Sequence, residues 1–270
     1  MDLLPHLFQL SQTHLQVLET CPRRFQYLFL DRLALPRLSA DSEQQRLGTQ
    51  FHRLMQQQEL GLEVEPLLAA NPVLQQWFQR FQICPPPLLS GQRLSEHQRT
   101  LVLYNFLMVA IYDLLVLGPD QAQIIDWKTY RRPLNPQVLQ QHWQTRLYPF
   151  LLVETSAYAP SQVSMIYWFA EPADPSASQG HWTVIPYSEQ RHQETYRLLA
   201  RLLPPLDSWI QSWGPSQPSL PQAPISAGHC GSADRTCPFV SQCQRTPNNV
   251  ESLDLTALTD LEAIAEIPLN

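Results

Sequence analysis

Three consecutive stretches in the middle of the chain are patterned as strands. Residues 92–104 form the first. Residues 106–117 (FLMVAIYDLLVL) form the second, almost wholly apolar and rich in Val, Ile, Phe and Tyr. Gly118-Pro119-Asp120 breaks that run, and residues 121–127 (QAQIIDW) form the third. Apolar runs of this kind bounded by turn residues predict paired strands, here a three-stranded β-meander.

Helical periodicity lies on either side. Residues 8–31 are predicted to be helical, with Ser11 as N-cap and Leu15, Leu18, Phe25 and Leu28 on one face. Cys21-Pro22 interrupts them, and a second helix starts at Pro22, since proline suits the first helical turn. Residues 41–60 carry Leu47, Phe51, Leu54 and Met55 at helical spacing. Asn71-Pro72 starts a third helix over 71–81, and Cys84-Pro85-Pro86-Pro87 then forces an extended connection. After the meander, Asn135-Pro136 opens a helix over 137–155. Strands are expected over 163–170 and 181–186, and Ser188 caps a long helix to about residue 213. Residues 214–228 are rich in Pro, Ser and Gln. The tail after residue 246 is expected to form a weak acidic helix over 256–267 or none. No internal repeat is present. Strands separated by helices imply an α/β fold with one sheet flanked by helices.

Composition narrows the class. The 270 residues are 44% hydrophobic and 16% charged, with 25 Pro against 8 Gly, which favours stiff loops over flexible linkers. The net charge of −6 argues against a nucleic-acid partner. Its distribution weakens that objection. All 18 Lys and Arg precede residue 246, while Glu251, Asp254, Asp260, Glu262 and Glu266 follow it, so without the tail the balance is 18 against 19. Arg23-Arg24 and Arg131-Arg132 offer local positive charge for phosphate. The segment 101–117 is interrupted by Asn105 and Asp113 and favours strands over a membrane span. The N-terminus has no basic region or cleavage site, so a cytoplasmic location without membrane association is expected. In such a compartment the five cysteines point to metal or catalytic roles before disulfides.

Two acids sit where strands should be apolar: Asp113 in the second strand and Asp126 in the third. Lys128 follows two residues later, on the same face as Asp126 by strand alternation. Buried carboxylates need compensation. An ion pair would provide it, and so would a divalent cation, which takes one or two carboxylates with the Trp127 carbonyl as a third oxygen. Lys128 would then hold the attacking water or stabilise charge developing on a phosphate. Upstream, Gly48 and His52 lie one turn apart on a helix. Downstream, Gln144 and Tyr148 do the same.

Taken together, Gly48/His52, Asp113, Asp126-x-Lys128 and Gln144/Tyr148 resemble the RecB-like branch of the PD-(D/E)XK nuclease superfamily. That branch includes the RecB and AddB nuclease domains and the RecB-like CRISPR-associated exonucleases. The resemblance runs from about Ser11 to Cys243. It implies a restriction-endonuclease-like mixed central sheet with an N-terminal helical part and a C-terminal cysteine segment. In domain terms this is a single nuclease domain over 1–246, divided into a helical part (8–83), a sheet core (92–187) and a C-terminal helix with cysteines (188–246), followed by an acidic tail over 247–270. It implies Mg²⁺- or Mn²⁺-dependent hydrolysis of DNA, at ends or in single strands, in repair, recombination or defence. His52, Asp113, Asp126 and the Trp127 carbonyl would hold the metal, Asp113, Asp126 and Lys128 would carry catalysis, and Gln144 and Tyr148 would face DNA. A helicase or repair-complex partner fits that reading, since the chain has no P-loop and is no motor itself. The pattern departs from the family in one place. Its usual glycine and arginine around the second-strand aspartate are replaced by Ala110 and Leu114. A non-catalytic DNA-binding or scaffold relative of the nuclease fold is therefore the alternative.

Some members of the branch hold a [4Fe–4S] cluster with one early and three late cysteines. Cys21, Cys237 and Cys243 match three of those places, and four thiolates suffice for such a cluster. The fourth place is filled by Asp234, with Cys230 four residues earlier. Cys230 would serve if its loop bulges. The alternatives are a zinc site drawing on His229 and a set of ordinary cysteines. Cys84 has no partner in this scheme. Glu96, on the first strand of the meander, is either an exposed strand acid or a further site residue.

Overall fold

The first departure from sequence expectation comes at the N-terminus. Phe8–Leu10 is a short strand, β1, and pairs in parallel with Phe106–Met108 of the meander. Three residues are too few for their own periodicity to outvote the helix that follows, and their partner lies about a hundred residues away. The computed structural model describes residues 7–33, 41–131, 136–171, 182–214, 219–225, 230–232 and 235–245. The expected helix over 256–267 falls outside them.

Helix α1 (Gln12–Thr20) follows Ser11, whose N–H and hydroxyl both meet His14 Nδ1 at 3.3 and 2.8 Å. Pro22 opens α2 (Pro22–Phe25), which runs into a π-helical turn over Gln26–Leu30. Next come α3 (Asp41–Glu59), the short α4 (Glu65–Ala69) and α5 (Pro72–Ile83). The Asn71 side chain caps α5 by accepting the N–H of Val73 at 2.9 Å. The helix α4 has no counterpart in the sequence reading, because five residues hold too little periodicity to register.

The meander is β2 (Gln92–Leu103), β3 (Phe106–Leu117) and β4 (Ala122–Arg131), antiparallel throughout. A 3₁₀ turn over Pro136–Gln141 leads to α6 (Trp143–Glu154), so the single helix expected over 137–155 is two elements. The chain then forms β5 (Val163–Glu171), β6 (Trp182–Pro186) and α7 (Glu189–Gln211), the last capped by the Ser188 hydroxyl. A hairpin of β7 (Gly231–Ser232) and β8 (Arg235–Thr236) completes it. Among the described residues no helix is long and apolar enough to cross a membrane, and residues 101–117 are the end of β2, a two-residue turn and β3.

β1, β3, β4, β5 and β6 lie in that order in one mixed sheet, with β2 on the other edge of β3. Two apolar layers cover its faces. Leu15, Leu18, Trp143, Leu147, Phe150, Leu199 and Leu203 from α1, α6 and α7 pack against Tyr112, Ile124, Met165 and Phe169. On the other face, Leu47, Phe51, Leu54, Trp77 and Phe78 from α3 and α5 pack against Leu114, Ile125, Trp127 and Trp168. All four residues expected on one face of α3 (Leu47, Phe51, Leu54, Met55) are buried.

The start of β2 tolerates no side chain. A Cβ at Gly91 would stand 2.2 Å from the Leu117 carbonyl oxygen, a backbone atom that cannot step aside. Gly91→Ala is expected to destabilise the protein by about 3 kcal/mol, the upper end for overpacking. A denaturant titration showing an unchanged midpoint would contradict this.

Candidate active site

Every strand pleat places alternate side chains on opposite faces, and β3 breaks that rule once. Phe106, Met108, Ala110 and Tyr112 face the α6 layer, but so does Leu115, while Leu114 and Val116 face the α3 layer. The slip falls at Asp113. Opposite it on β2, Glu96 has a left-handed φ of 50°, an unusual state for a residue with a side chain. Ser95 and His97 keep their register with Leu114 and Tyr112 on either side. The Ser95 hydroxyl donates to the Asp113 carbonyl at 3.2 Å.

β3 and β4 also part at this point. Their ladder runs from Leu117–Ala122 to Leu114–Ile125 and stops. Beyond it β4 pairs only with β5, while the free edge of β3 is taken by β1 at Phe106–Met108. The sheet thus forks, and the Asp113 carboxylate fills the crotch. Its Oδ2 accepts the Trp127 N–H at 2.7 Å, replacing the strand carbonyl that would otherwise be the partner.

His52 reaches the fork from α3. Its Nδ1 lies 3.2 Å from Asp113 Oδ1. Gly48, one turn earlier, makes the approach possible. A Cβ there would stand 3.1 Å from the Thr129 hydroxyl, so glycine lets α3 lie close on β4. Glu96 completes the group: ligand atoms of His52, Glu96 and Asp113 all lie within 4.8 Å of one another. Burial opposes charge on His52, but Asp113 against it, with Asp126 beyond, raises the ring to about 9. Burial first, and then the Asp113 charge, raises the Glu96 carboxyl to about 7.

The other half of the site lies on the α6 side. Asp126 and Lys128 are 4% and 5% exposed, and Lys128 Nζ lies 2.8 Å from Asp126 Oδ2. Gln144, in the first turn of α6, bridges them. Its Oε1 accepts from Lys128 Nζ at 2.8 Å and its amide nitrogen donates to Asp126 Oδ1. Burial pushes both groups toward neutrality; on Asp126 it prevails over the pull of Lys128 and the carboxyl is raised, while the Asp126 charge keeps the Lys128 ammonium raised. The amide orientation fits a carboxylate on one side and an ammonium on the other. Asp126 Oδ2 has charge contact with the lysine but no aligned hydrogen-bond donor.

Three carboxylates thus converge on two cationic side chains, and burial, with the Asp113 charge second, brings the Glu96 carboxyl into its titration range near neutrality. This donor set of hard oxygens and one imidazole fits a divalent cation. The structure places the sequence candidates His52, Asp113, Asp126, Lys128 and Gln144 together. Trp127 contributes its N–H, and its ring packs edge-on with Phe81. Tyr148 is 5% exposed, its ring edge-on to Tyr112 and its carbonyl accepting the Tyr112 hydroxyl at 3.0 Å. Leu114 lies in the apolar layer beneath α3, and Ala110 is buried in the other core. Glu96 is the residue the sequence signalled least. Its neighbours read as an ordinary exposed strand, and only the left-handed turn of its backbone directs it inward.

A second cluster lies away from the fork. Cys21, Cys230, Cys237 and Cys243 line one small pocket with Arg24 and Arg245. Gly231–Ser232 pairs with Arg235–Thr236 between Cys230 and Cys237, and the Cys237 N–H donates to the Cys230 carbonyl at 3.1 Å. The displaced Cys230 thus lines the same pocket as the other three. Arg245 Nη1 lies 2.8 Å from Cys230 Sγ. Burial raises the Cys237 and Cys243 thiols, and the charge of Arg24 draws Cys237 back down. Cys84 stands apart, its carbonyl accepting the Trp168 indole N–H at 3.1 Å.

Comparison with known proteins adds an independent line. A family model described as the PD-(D/E)XK nuclease superfamily matches residues 9–244. A candidate exonuclease from Eubacterium rectale shares the fold, with a TM-score of 0.54 at 10% identity, over 96% of this chain and 99% of that one. The protein SSO0001 aligns over 79% of this chain and 80% of its own at 13% identity, but with a TM-score of 0.35. No curated protein matches the sequence.

Proposed function

The chain belongs to the PD-(D/E)XK nuclease superfamily, and from that premise we propose that it is a divalent-metal-dependent deoxyribonuclease of the RecB-like branch, hydrolysing phosphodiester bonds at DNA ends or in single strands. One observation carries this reading. The fork between β3 and β4 gathers His52, Glu96 and Asp113 within the span of one ion, beside the buried Asp126–Lys128–Gln144 group. The surrounding sheet is restriction-endonuclease-like.

Mg²⁺ or Mn²⁺ would be held by His52, Asp113, Asp126 and the Trp127 carbonyl, with Glu96 as an added ligand. The bound ion supplies an acidified water and neutralises phosphate charge. The Trp127 N–H fixes the orientation of the Asp113 carboxylate. Lys128, kept as an ammonium by Asp126 and Gln144, cannot act as a base. It orients the attacking water and stabilises charge developing on the phosphoryl oxygens. Gln144 and Tyr148 remain the proposed DNA-facing pair, with Gln144 exchanging its contact to Asp126 for the strand.

Labelled single- and double-stranded DNA, incubated with each metal, tests the assignment. Cleavage is expected with Mg²⁺ or Mn²⁺, complete loss with excess EDTA, and recovery when metal is added back. Tight DNA binding without turnover under any divalent metal would instead establish the scaffold alternative.

The four cysteines support a second assignment, a [4Fe–4S] cluster clamping α1 to the C-terminal segment. The shared cavity supports it, as do the two guanidinium groups that favour thiolates. Cys21→Ser is expected to remove iron and sulfide from the purified protein. The clip closes a loop of some two hundred residues, so its loss should cost roughly 3–4 kcal/mol of stability. Stoichiometric zinc without sulfide in the parent protein would overturn the cluster.

A further inference from the structure

We propose that Tyr167 is a positioning residue for the nuclease reaction: its ring face seats the Lys128 ammonium, and its hydroxyl ties that seat to the first turn of α6. The inference rests on the nuclease reading of the fork.

Lys128 Nζ is bounded on three sides. Asp126 Oδ2 and Gln144 Oε1 lie 2.8 Å away on two of them. On the third, Nζ stands 5.5 Å from the centroid of the Tyr167 ring. Strand register puts the ring there, since Tyr167 on β5 is the parallel partner of Asp126 on β4. Tyr167 is fully buried, so it cannot touch DNA and acts only through its neighbours.

The chemistry of the third wall matters. An ammonium has three N–H donors and no acceptor. A carboxylate or carbonyl at that place would engage a further donor and withdraw it from a substrate phosphate. An aromatic face attracts the cation through its quadrupole without a directional acceptor. The ring therefore holds the ammonium in place and leaves it a hydrogen bond to give.

The ring is itself fixed. Tyr167 Oη lies 2.7 Å from Thr145 Oγ1, and Thr145 Oγ1 donates to the Leu139 carbonyl at 2.5 Å. Thr145 has one proton, and Leu139 takes it, so the tyrosine hydroxyl must donate. Burial supports this assignment by raising the phenol well above its usual range. The chain Tyr167–Thr145–Leu139 thus joins β5 to the 3₁₀ turn before α6 and to the residue next to Gln144. Movement of α6 would reach the lysine from two directions, through Gln144 and through Tyr167.

Steady-state cleavage of a labelled single strand at saturating Mn²⁺, corrected for folded protein by circular dichroism, tests this in Tyr167→Leu, Tyr167→Phe, Thr145→Val and the Phe/Val double variant. Tyr167→Leu is expected to lower kcat about tenfold with KM for DNA within twofold, because the face is lost and no DNA contact changes. Tyr167→Phe keeps the face and should recover most of the rate, within about threefold of the parent. Thr145→Val, which breaks the same hydrogen bond and also the one to Leu139, should lose at least as much as Tyr167→Phe, and the double variant should be no worse than Thr145→Val alone, since the Tyr167–Thr145 hydrogen bond can be lost only once. A parental kcat in Tyr167→Leu, or equal losses in Tyr167→Leu and Tyr167→Phe, overturns the proposal. If Tyr167→Leu does not fold, the comparison of Tyr167→Phe, Thr145→Val and their double variant decides, additive losses counting against it. A parent protein that does not cut DNA under any metal removes the nuclease reading, and this inference falls with it.

Discussion

Asp126→Ala is expected to abolish DNA hydrolysis, by about 10³-fold or more, and to destabilise the protein at the same time. The first effect follows from the loss of a metal-binding oxygen and of the partner that holds Lys128, where removal of a single electrostatic group typically costs 10²–10³ in rate. The second follows from burial. Lys128 would keep its charge at 5% exposure with the Gln144 carbonyl and the Tyr167 ring face in contact but its carboxylate partner gone, and breaking one side of a buried pair costs about 3–5 kcal/mol. The two effects can be separated. In the double variant Asp126→Leu/Lys128→Met the stranded charge is gone, so most of the stability should return while cleavage stays absent. Denaturant unfolding beside the cleavage assay reads both. Parental activity in Asp126→Ala would exclude this fork as the catalytic centre. A double variant as unstable as the single one would show that the pair is not the coupled unit its geometry describes.

Without metal, the protein is expected to lose stability as pH rises from about 4.5 to 9, and bound Mn²⁺ should reverse the trend. The sign follows from two groups. His52 titrates near 9 in the fold against an ordinary 6.5, so it binds a proton more tightly folded than unfolded. Its contribution is complete below pH 6.5 and is lost as pH rises through 9. Glu96 titrates near 7 against an ordinary 4.5, so the fold holds that proton too, and its contribution fades between pH 4.5 and 7. Each of these displacements corresponds to roughly 3 kcal/mol. Partial exposure and mutual coupling reduce the sum to about 3 kcal/mol, or 6–10 °C in Tm for a domain of this size. Metal binds the deprotonated forms, so its affinity and its stabilisation grow over the same range. Melting in EDTA and in Mn²⁺ between pH 5 and 9 checks this. Parallel curves would show that neither group is linked to the metal. Asp113→Asn should flatten the upper part of the EDTA curve, because His52 would lose the charge that raises it.

Parts of this site are legible in the sequence because local chemistry specifies them. Asp126 and Lys128 share a face through strand alternation alone. Gly48 and His52 share a helical stripe with Leu47 and Phe51, and the two-residue cap Asn71-Pro72 announces α5. Glu96 is different. Nothing local distinguishes it from the exposed polar residues around it, and its left-handed backbone is imposed by pairing with the broken pleat at Asp113. β1 was hidden for a similar reason, since its hydrogen bonds go to residues 106–108. Tyr167 reads in sequence as one more aromatic in an apolar strand. Its relation to Lys128 exists only through the β4–β5 register and the Thr145 hydrogen bond.

The meander, the longer helices around it and the residue types of the site are written in the chain itself, because they follow from periods of two and 3.6 and from capping chemistry over a few residues. Where the sheet forks, that Glu96 joins His52 and Asp113, and that Cys230 returns to the other three cysteines emerge only once the chain is folded. These features depend on contacts between segments tens to two hundred residues apart. Their energy comes from pairing and burial that no local window of the chain contains.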